Sequence, residues 1–450
     1  MRRLLQPPPA TITAEPAAGG HRQDGLRTNR LGRLRQHVRT PLFGNAYALT
    51  VNTAVTATLG SVYWVIAARL YSPRELGLGA AAVSTMTFLS NLSQLNLNAA
   101  LSRFLPESGP SGARLVVYAY GASSLVAILI SSIFLAVVSR VSDQLAFLTG
   151  NPLLAVLFCL SVAAWGIFTL QDSVLTALRG AVWVPVENAI FGVVKALLLV
   201  AFAGALPSLG VFLSWNAPVV IALVPVNLLV FRLLLPRLRS LGTARLPDWR
   251  VLRRFVALDY LGFLFMQAGT NALPLLVTAR LGAAANGRFY VAYAIGNALE
   301  LVAYNFGVSL TVESSRDQSR LAFYTQQILR RGFFLFTPGV MLLWLAAPLL
   351  LTVFGKGYAQ SSAALLRLLL LAVLPKLLVA IFVAVSRVQK RVGRIIVVQA
   401  LTSTLVLSLS LAFVGRLGIL GVGVAYLISQ SVVAAAVLPS VARLLRTVHR

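Results

Sequence analysis

Charge is scarce in this sequence and one-sided. Of 450 residues only 11% are charged, and just 12 of those are acidic against 39 basic. A soluble domain of this size carries charge on roughly a quarter of its residues. Cysteine is nearly absent. Cys159 stands alone in an apolar block, which excludes an intrachain disulfide and a thiolate metal site. The three histidines, His21, His37 and His449, lie in the tails, so no imidazole metal site is expected within the apolar segments. There is no Gly-x-x-x-x-Gly-Lys-Ser/Thr phosphate loop. No loop carries a paired-carboxylate or Ser/His/Asp constellation, and none is long enough for a soluble catalytic domain. We therefore expect neither an enzyme nor a bound metal or cofactor.

What is abundant is apolar sequence. Hydrophobic residues make up 58% of the chain, and the mean hydropathy is +0.82. They fall into blocks such as 48–67, 115–138, 153–169 and 395–414. Such blocks have the length needed to cross about 30 Å of hydrocarbon, and in lipid they must be helical, because backbone polar groups find no water there. The pattern predicts twelve membrane helices, at 46–68, 78–101, 114–138, 152–177, 188–206, 209–233, 255–279, 289–312, 328–353, 363–385, 395–414 and 418–440.

The net charge of +27 does not mark a nucleic-acid binder, because the basic residues punctuate the gaps between apolar blocks. Seven fall in alternate loops: Arg69, Arg74, Arg140, Arg280, Arg288, Lys356 and Arg416. Three fall within helices, and the other 29 lie on the opposite side with the termini. By the positive-inside rule both termini are expected in the cytoplasm of a cell-membrane protein. Residues 1–44 are polar and basic with no apolar core, and read as a cytoplasmic tail. The expected organisation is a tail (1–44), a six-helix bundle (45–236), a basic linker (237–254), a second six-helix bundle (255–441) and a basic tail (442–450).

The halves echo each other. Ala68-Arg69-Leu70 returns as Ala279-Arg280-Leu281, Leu209-Gly210-Val211 as Leu417-Gly418-Ile419, and Arg179 as Arg387. Two six-helix repeats in one orientation are expected to relate by an axis along the membrane normal, with substrate at their interface. Predicted helix two carries Thr87, Asn91, Gln94 and Asn98 on one face, and predicted helix eight carries Tyr293, Asn297, Glu300 and Tyr304 at the same spacing. Facing lipid, such stripes would be costly. They are expected to line a shared cavity, the alternative being hydrogen bonds that only hold the bundle together. Asn52 on helix one, and Gln267 and Asn271 on helix seven, extend the candidate lining. Pro274 is expected to break or kink helix seven.

Charges inside the membrane need a reason. Lys195 in helix five is expected either to pair with Asp172 or to meet an anionic substrate. Lys376 in helix ten is expected to pair with Glu300 or to face a phosphate.

The run Asn45-x-Tyr47, Leu59-Gly60, Tyr63-Trp64 and Ala67-Ala68-Arg69-Leu70-Tyr71-Ser72-Pro73-x-Glu75-x-Gly77 resembles the opening of polysaccharide-transporter proteins. These are the O-antigen and exopolysaccharide flippases of the multidrug/oligosaccharidyl-lipid/polysaccharide (MOP) superfamily. Phe354-Gly355-x-x-Tyr358 and Leu417-Gly418-Ile419-x-Gly421-x-Gly423-x-Ala425 are similar to further stretches of that family. The resemblance implies an all-α, MATE-like pair of six-helix bundles with alternating access, whose cavity helices one, two, seven and eight line. It implies as substrate a lipid-linked oligosaccharide on a polyprenyl diphosphate, moved across the cytoplasmic membrane during surface polysaccharide synthesis. Lys195 and Lys376 would then be the anion-binding candidates, and a polysaccharide polymerase and glycosyltransferases the partner enzymes. The family pattern departs here in one respect, since helices one and two carry no mid-membrane cation. A cation-coupled multidrug antiporter using Glu300 is the alternative. An integral-membrane glycosyltransferase is a more distant one.

Overall fold

The computed structural model describes residues 41–141, 143–238, 249–316 and 318–446. Residues 1–40 of the expected leader, most of the linker and the last four residues fall outside them, and residues 41–44, expected in the leader, open the first helix.

Twelve helices of 20 residues or more are present among the described residues. They are α1 (Pro41–Leu70), α2 (Pro73–Ser93), α3 (Gly112–Val141), α4 (Pro152–Ala177), α5 (Trp183–Ala205), α6 (Gly210–Leu229), α7 (Trp249–Leu281), α8 (Ala283–Arg316), α9 (Leu321–Leu345), α10 (Lys356–Val388), α11 (Val392–Leu417) and α12 (Ile419–Leu445). No strand occurs among the described residues. Nine of these segments are long and apolar enough to cross a membrane by length and composition. The other three are α1, whose described apolar part is the shorter segment Val55–Leu70, and α2 and α8, the helices of the polar stripes. The molecule is thus a multi-pass helical membrane protein.

Packing follows the inside-out logic of a chain in lipid. Large apolar side chains such as Leu125, Phe334 and Leu349 point outward, and the core holds both apolar contacts and polar groups bonded to backbone. Tyr63 is fully buried and its hydroxyl donates to the Val211 carbonyl at 2.9 Å, tying α1 to α6. Tyr71 donates to the Leu199 carbonyl at 2.9 Å, tying the α1–α2 turn to α5. In the second half α10 is the central helix. Of its apolar window 61% is buried, against 17% for α9 at the periphery.

α2 begins five residues before its predicted start. Ser72 caps it, accepting from the Glu75 amide while Glu75 accepts from the Ser72 amide, and Pro73 fills the first turn. This capping box satisfies two of the orphan donors of a helix start. The helix then breaks where the sequence predicts continuity. Leu95 and Asn96 take left-handed φ values of 49° and 58°, and a short helix, Leu97–Phe104, resumes after them. Beside the break runs a ladder of side-chain amides: Gln94 donates to Asn91, Asn98 donates to Gln94 at 2.6 Å, and Ser173 of α4 donates to Asn98 at 3.1 Å.

Pro274, by contrast, does not break α7, which runs through it. Proline cannot donate to the carbonyl four residues back, here that of Thr270, and the Tyr293 hydroxyl of α8 donates to that carbonyl at 2.7 Å instead. The lost backbone bond is replaced, so the helix continues.

Residues from Asn45 onward pack as one unit, because α2 lies along both α7 and α8. Near their starts α2 and α8 cross at glycines. A Cβ on Gly77 would sit 1.8 Å from the Ala283 carbonyl oxygen, and one on Gly287 would sit 2.0 Å from that of Pro73. The contact is reciprocal. Pro73 and Gly77 correspond to Ala283 and Gly287 across the two halves, as a twofold relation between them requires. Asn286 adds a bond to the Gly77 carbonyl at 2.8 Å. Arg69 reaches the Val353 and Thr352 carbonyls at 2.8 and 2.9 Å, so the crossing end is held by polar contacts between the halves as well.

Candidate functional site

A cavity of about 560 Å³ lies in the second half, walled by α7, α8, α10, α11 and α12, with Asn96 at the α2 break reaching its edge. It runs from Lys376, Glu300, Tyr426 and Gln430 at mid-helix toward Arg387 and Val392, where α10 ends and α11 begins. Its deep end therefore lies at mid-membrane, and its other end lies toward the face opposite the glycine crossing.

The deep end is polar because three helices contribute groups to it. Lys376 of α10 forms an ion pair with Glu300 of α8. It also donates to the Tyr426 hydroxyl of α12 at 2.8 Å. Tyr426 and Gln430 stand one turn apart on α12, and the Gln430 carbonyl oxygen is buried with no donor. Lys376 and Glu300 cancel, so Arg387 leaves one net positive charge among the lining residues. Along the walls Asn297, Gln267, Thr270, Gln399, Thr402 and Ser403 add hydrogen-bonding groups between apolar side chains.

Of the candidates from the sequence, Gln267, Asn297, Glu300, Tyr304 and Lys376 line this cavity. The other eight are not among its lining residues. Tyr293 serves the Thr270 carbonyl. Asn271 donates to the Gln267 carbonyl at 3.4 Å. Asn91, Gln94 and Asn98 form the amide ladder at the α2 break, and Thr87 lies half-buried above it. Asn52 of α1 holds a buried side-chain oxygen without a donor. The two stripes align in sequence from Asn91 to Asn297, whereas the glycine crossing pairs Gly77 with Gly287. The stripes are thus one helical turn out of structural register. A four-residue slip preserves a helix face, and so the match in spacing did not place them at one depth.

Lys195 does not pair with Asp172. Its ammonium lies 3.8 Å from the Trp215 ring centroid, 4.8 Å from that of Phe191 and 5.0 Å from that of Tyr63. Ring faces attract a desolvated cation by about 2 kcal/mol or more. Asp172 is approached instead by the Asn188 amide, at 3.4 and 3.5 Å. In this structure Lys195 is a buried component of the first half's aromatic core.

The residues that sequence reasoning missed are Arg387, Gln399, Thr402, Tyr426 and Gln430. Tyr426 and Gln430 are four apart, and Gln399 and Thr402 three apart, the same one-face spacing as the stripes. The α11 and α12 residues give little signal because those helices read as apolar blocks and glycine-rich packing, and Arg387 reads as a basic residue following helix ten.

This arrangement defines a class: a helical membrane protein of two six-helix halves, with a polar-floored cavity and a close helix crossing, in the MOP fold. Solved structures share that fold at low sequence identity. The chain is similar to "Lipid II flippase MurJ, inward closed conformation", with a TM-score of 0.70, 11% identity and 87% of each chain covered. It is similar to an inward-facing multidrug resistance MATE family transporter of the MOP superfamily, with a TM-score of 0.61, 14% identity and 90% and 99% coverage of the two chains. A MOP superfamily transporter from Pyrococcus furiosus gives a TM-score of 0.51 at 12% identity, with 90% and 96% coverage. No family model and no curated protein sequence matches the chain.

Proposed function

We propose that this protein is a flippase that carries a lipid-linked oligosaccharide, held on a polyprenyl diphosphate, across the cytoplasmic membrane. The observation that carries this reading is the cavity itself. It combines amide and hydroxyl walls suited to sugar hydroxyls, a floor built on Lys376, and a second cation, Arg387, toward its open end. The α2–α8 crossing closes the opposite end, so an alternating-access cycle needs only the two halves to rock about it. The likeness to a structure titled a lipid II flippase supports the same reading. No bond is made or broken in such a cycle, and the protein acts by binding and by gating. With both termini cytoplasmic, as the basic loops suggest, the cavity opens to the leaflet where such substrates are assembled. A polymerase and glycosyltransferases of surface polysaccharide synthesis are the partner enzymes this role calls for.

A second reading, a cation-coupled multidrug antiporter, is favoured by Glu300. It is 8% exposed and neutralises Lys376, which leaves the deep end suited to a charge exchange. Binding separates the two. Purified protein is titrated with a fluorescent polyprenyl-diphosphate saccharide and, separately, with a lipophilic organic cation. The flippase reading expects saturable binding of the anion, weakened at least about tenfold by Arg387→Ala. Saturable binding of the cation alone, lost in Glu300→Gln, would move the assignment to the antiporter.

A further inference from the structure

A second concavity, of about 120 Å³, lies between α5 and α6 on the opposite half of the molecule. Its α5 wall is one helix face, Glu187, Ile190 and Val194, spaced three and four. Its α6 wall holds Pro218 and Pro225, two turns apart on one face, whose compact rings leave a channel. Ile190 and Ile221 are 58% and 63% exposed, so the channel faces outward, toward lipid.

At one end stands a carboxylate. Glu187 is 6% exposed, and neither of its oxygens has a donor. Asp172 of α4 lies within electrostatic reach of it, and so does Tyr120, whose hydroxyl is also without a partner. Neither carboxylate has an ion-pair partner among the described residues. The nearest ammonium along α5, that of Lys195, is two turns on and held by its rings. A buried carboxylate without a donor or a counter-charge is expensive. The local structure supplies neither; both oxygens are covered, so an occupant of the channel that Glu187 lines reaches them through a turn of the Glu187 side chain.

Depth narrows the occupant. Glu187 sits about 6 Å into α5 from Trp183, a 41% exposed tryptophan of the kind that marks a membrane–water boundary. From Glu187 to Val194 the channel runs about 10 Å toward the bilayer centre. A carboxylate at head-group depth and an apolar channel below it together match an amphiphile with a cationic, N–H-donating head.

We propose that the α5–α6 groove binds one membrane phospholipid bearing a primary ammonium head group, with the ammonium on Glu187 and an acyl chain between Ile190 and the Pro218–Pro225 face of α6. A quaternary ammonium has no N–H for the carboxylate oxygens, and an anionic head group meets like charge. The site is independent of the transport cavity and of the substrate proposed for it.

The test uses the full chain in nanodiscs of equal parts ethanolamine, choline and glycerol phospholipids, with native mass spectrometry of retained lipid. The expected result is one ethanolamine lipid per chain, retained at least about tenfold over the choline lipid, the effect of one charge-assisted hydrogen bond. Glu187→Gln should abolish the preference. Ile190→Trp, which fills the channel but leaves the carboxylate, should reduce retention of every head group. Retention without head-group preference in the wild-type protein overturns the proposal, and so does a preference that survives Glu187→Gln. Saturable sodium binding that Glu187→Gln removes while lipid retention stays unchanged overturns it too, and assigns the carboxylate to an ion. If Glu187→Gln does not fold, the wild-type preference and Ile190→Trp decide.

Discussion

Lys376 and Glu300 illustrate how a charge survives inside a membrane. Each is costly alone, and together with the Tyr426 hydroxyl they satisfy one another at the floor of the cavity. Breaking such a pair from one side is worse than removing both groups. Glu300→Gln is therefore expected to destabilise the protein by up to about 3 kcal/mol, the lower end of the range for buried pairs, because the Lys376 side chain keeps 28% exposure. Combining Lys376→Met with Glu300→Met should recover most of that stability in thermal unfolding, yet leave substrate binding lost. Recovery of binding along with stability would show the pair to be only structural. Tyr293 offers a cleaner test. Its bond to the Thr270 carbonyl matters because Pro274 leaves that carbonyl free. Tyr293→Phe should cost about 1–2 kcal/mol in the native chain and much less in a Pro274→Ala background. A double-mutant cycle measures the difference, and additive effects would contradict the link.

At the scale of elements, α2 and α8 do the joining. Their crossing needs bare backbone at Gly77 and Gly287, since an added Cβ would meet a carbonyl oxygen at 2.0 Å or less in either case. Gly77→Ala and Gly287→Ala are each expected to force the helices apart at that end. Spin-label distances between Arg74 and Arg288, both exposed beside the crossing, should lengthen by several ångströms in either variant, in a Cys159→Ser background. The double variant should add little, because both substitutions act on one contact. Unchanged distances would mean that the crossing is not tight in the membrane. Much of this scale was legible beforehand. Apolar runs marked the long helices, and the breakers between them marked the loops, because lipid leaves a chain few alternatives to helix. Other features hid for physical reasons. The break in α2 falls at Leu95 and Asn96, with no proline or glycine to announce it, and the amides beside it read from sequence as a cavity lining. The Ser72–Glu75 box read as a loop because Tyr71-Ser72-Pro73 resembles a turn. Pro274 looked like a breaker because its compensating donor, Tyr293, lies on another helix. A stripe shows that a face is polar; it does not show which neighbour the face meets.

For the whole molecule, the two halves have the same fold but different uses. The second half encloses the polar cavity. The first half buries Lys195 in a ring cage and leaves Glu187 unpaired beside a lipid-facing groove. The sequence repeat implied two equal walls around a central site, and the structure instead concentrates the polar lining in the second half, with Asn96 the contribution of the first. Under the proposed function an asymmetric molecule can still alternate, because the reciprocal α2–α8 contact lies between the halves and its opening is a motion of one half against the other. Under the proposed function this motion carries a lipid-linked saccharide. Its most direct test is transfer of a radiolabelled polyprenyl-diphosphate oligosaccharide between leaflets of proteoliposomes, read by accessibility of the sugar to an added enzyme. The account predicts transfer by the wild-type protein and a loss of at least about tenfold in Lys376→Ala, an effect of about 1.4 kcal/mol. Transfer no faster than in protein-free vesicles under proton, sodium and potential gradients alike, or transfer indifferent to Lys376, would contradict it.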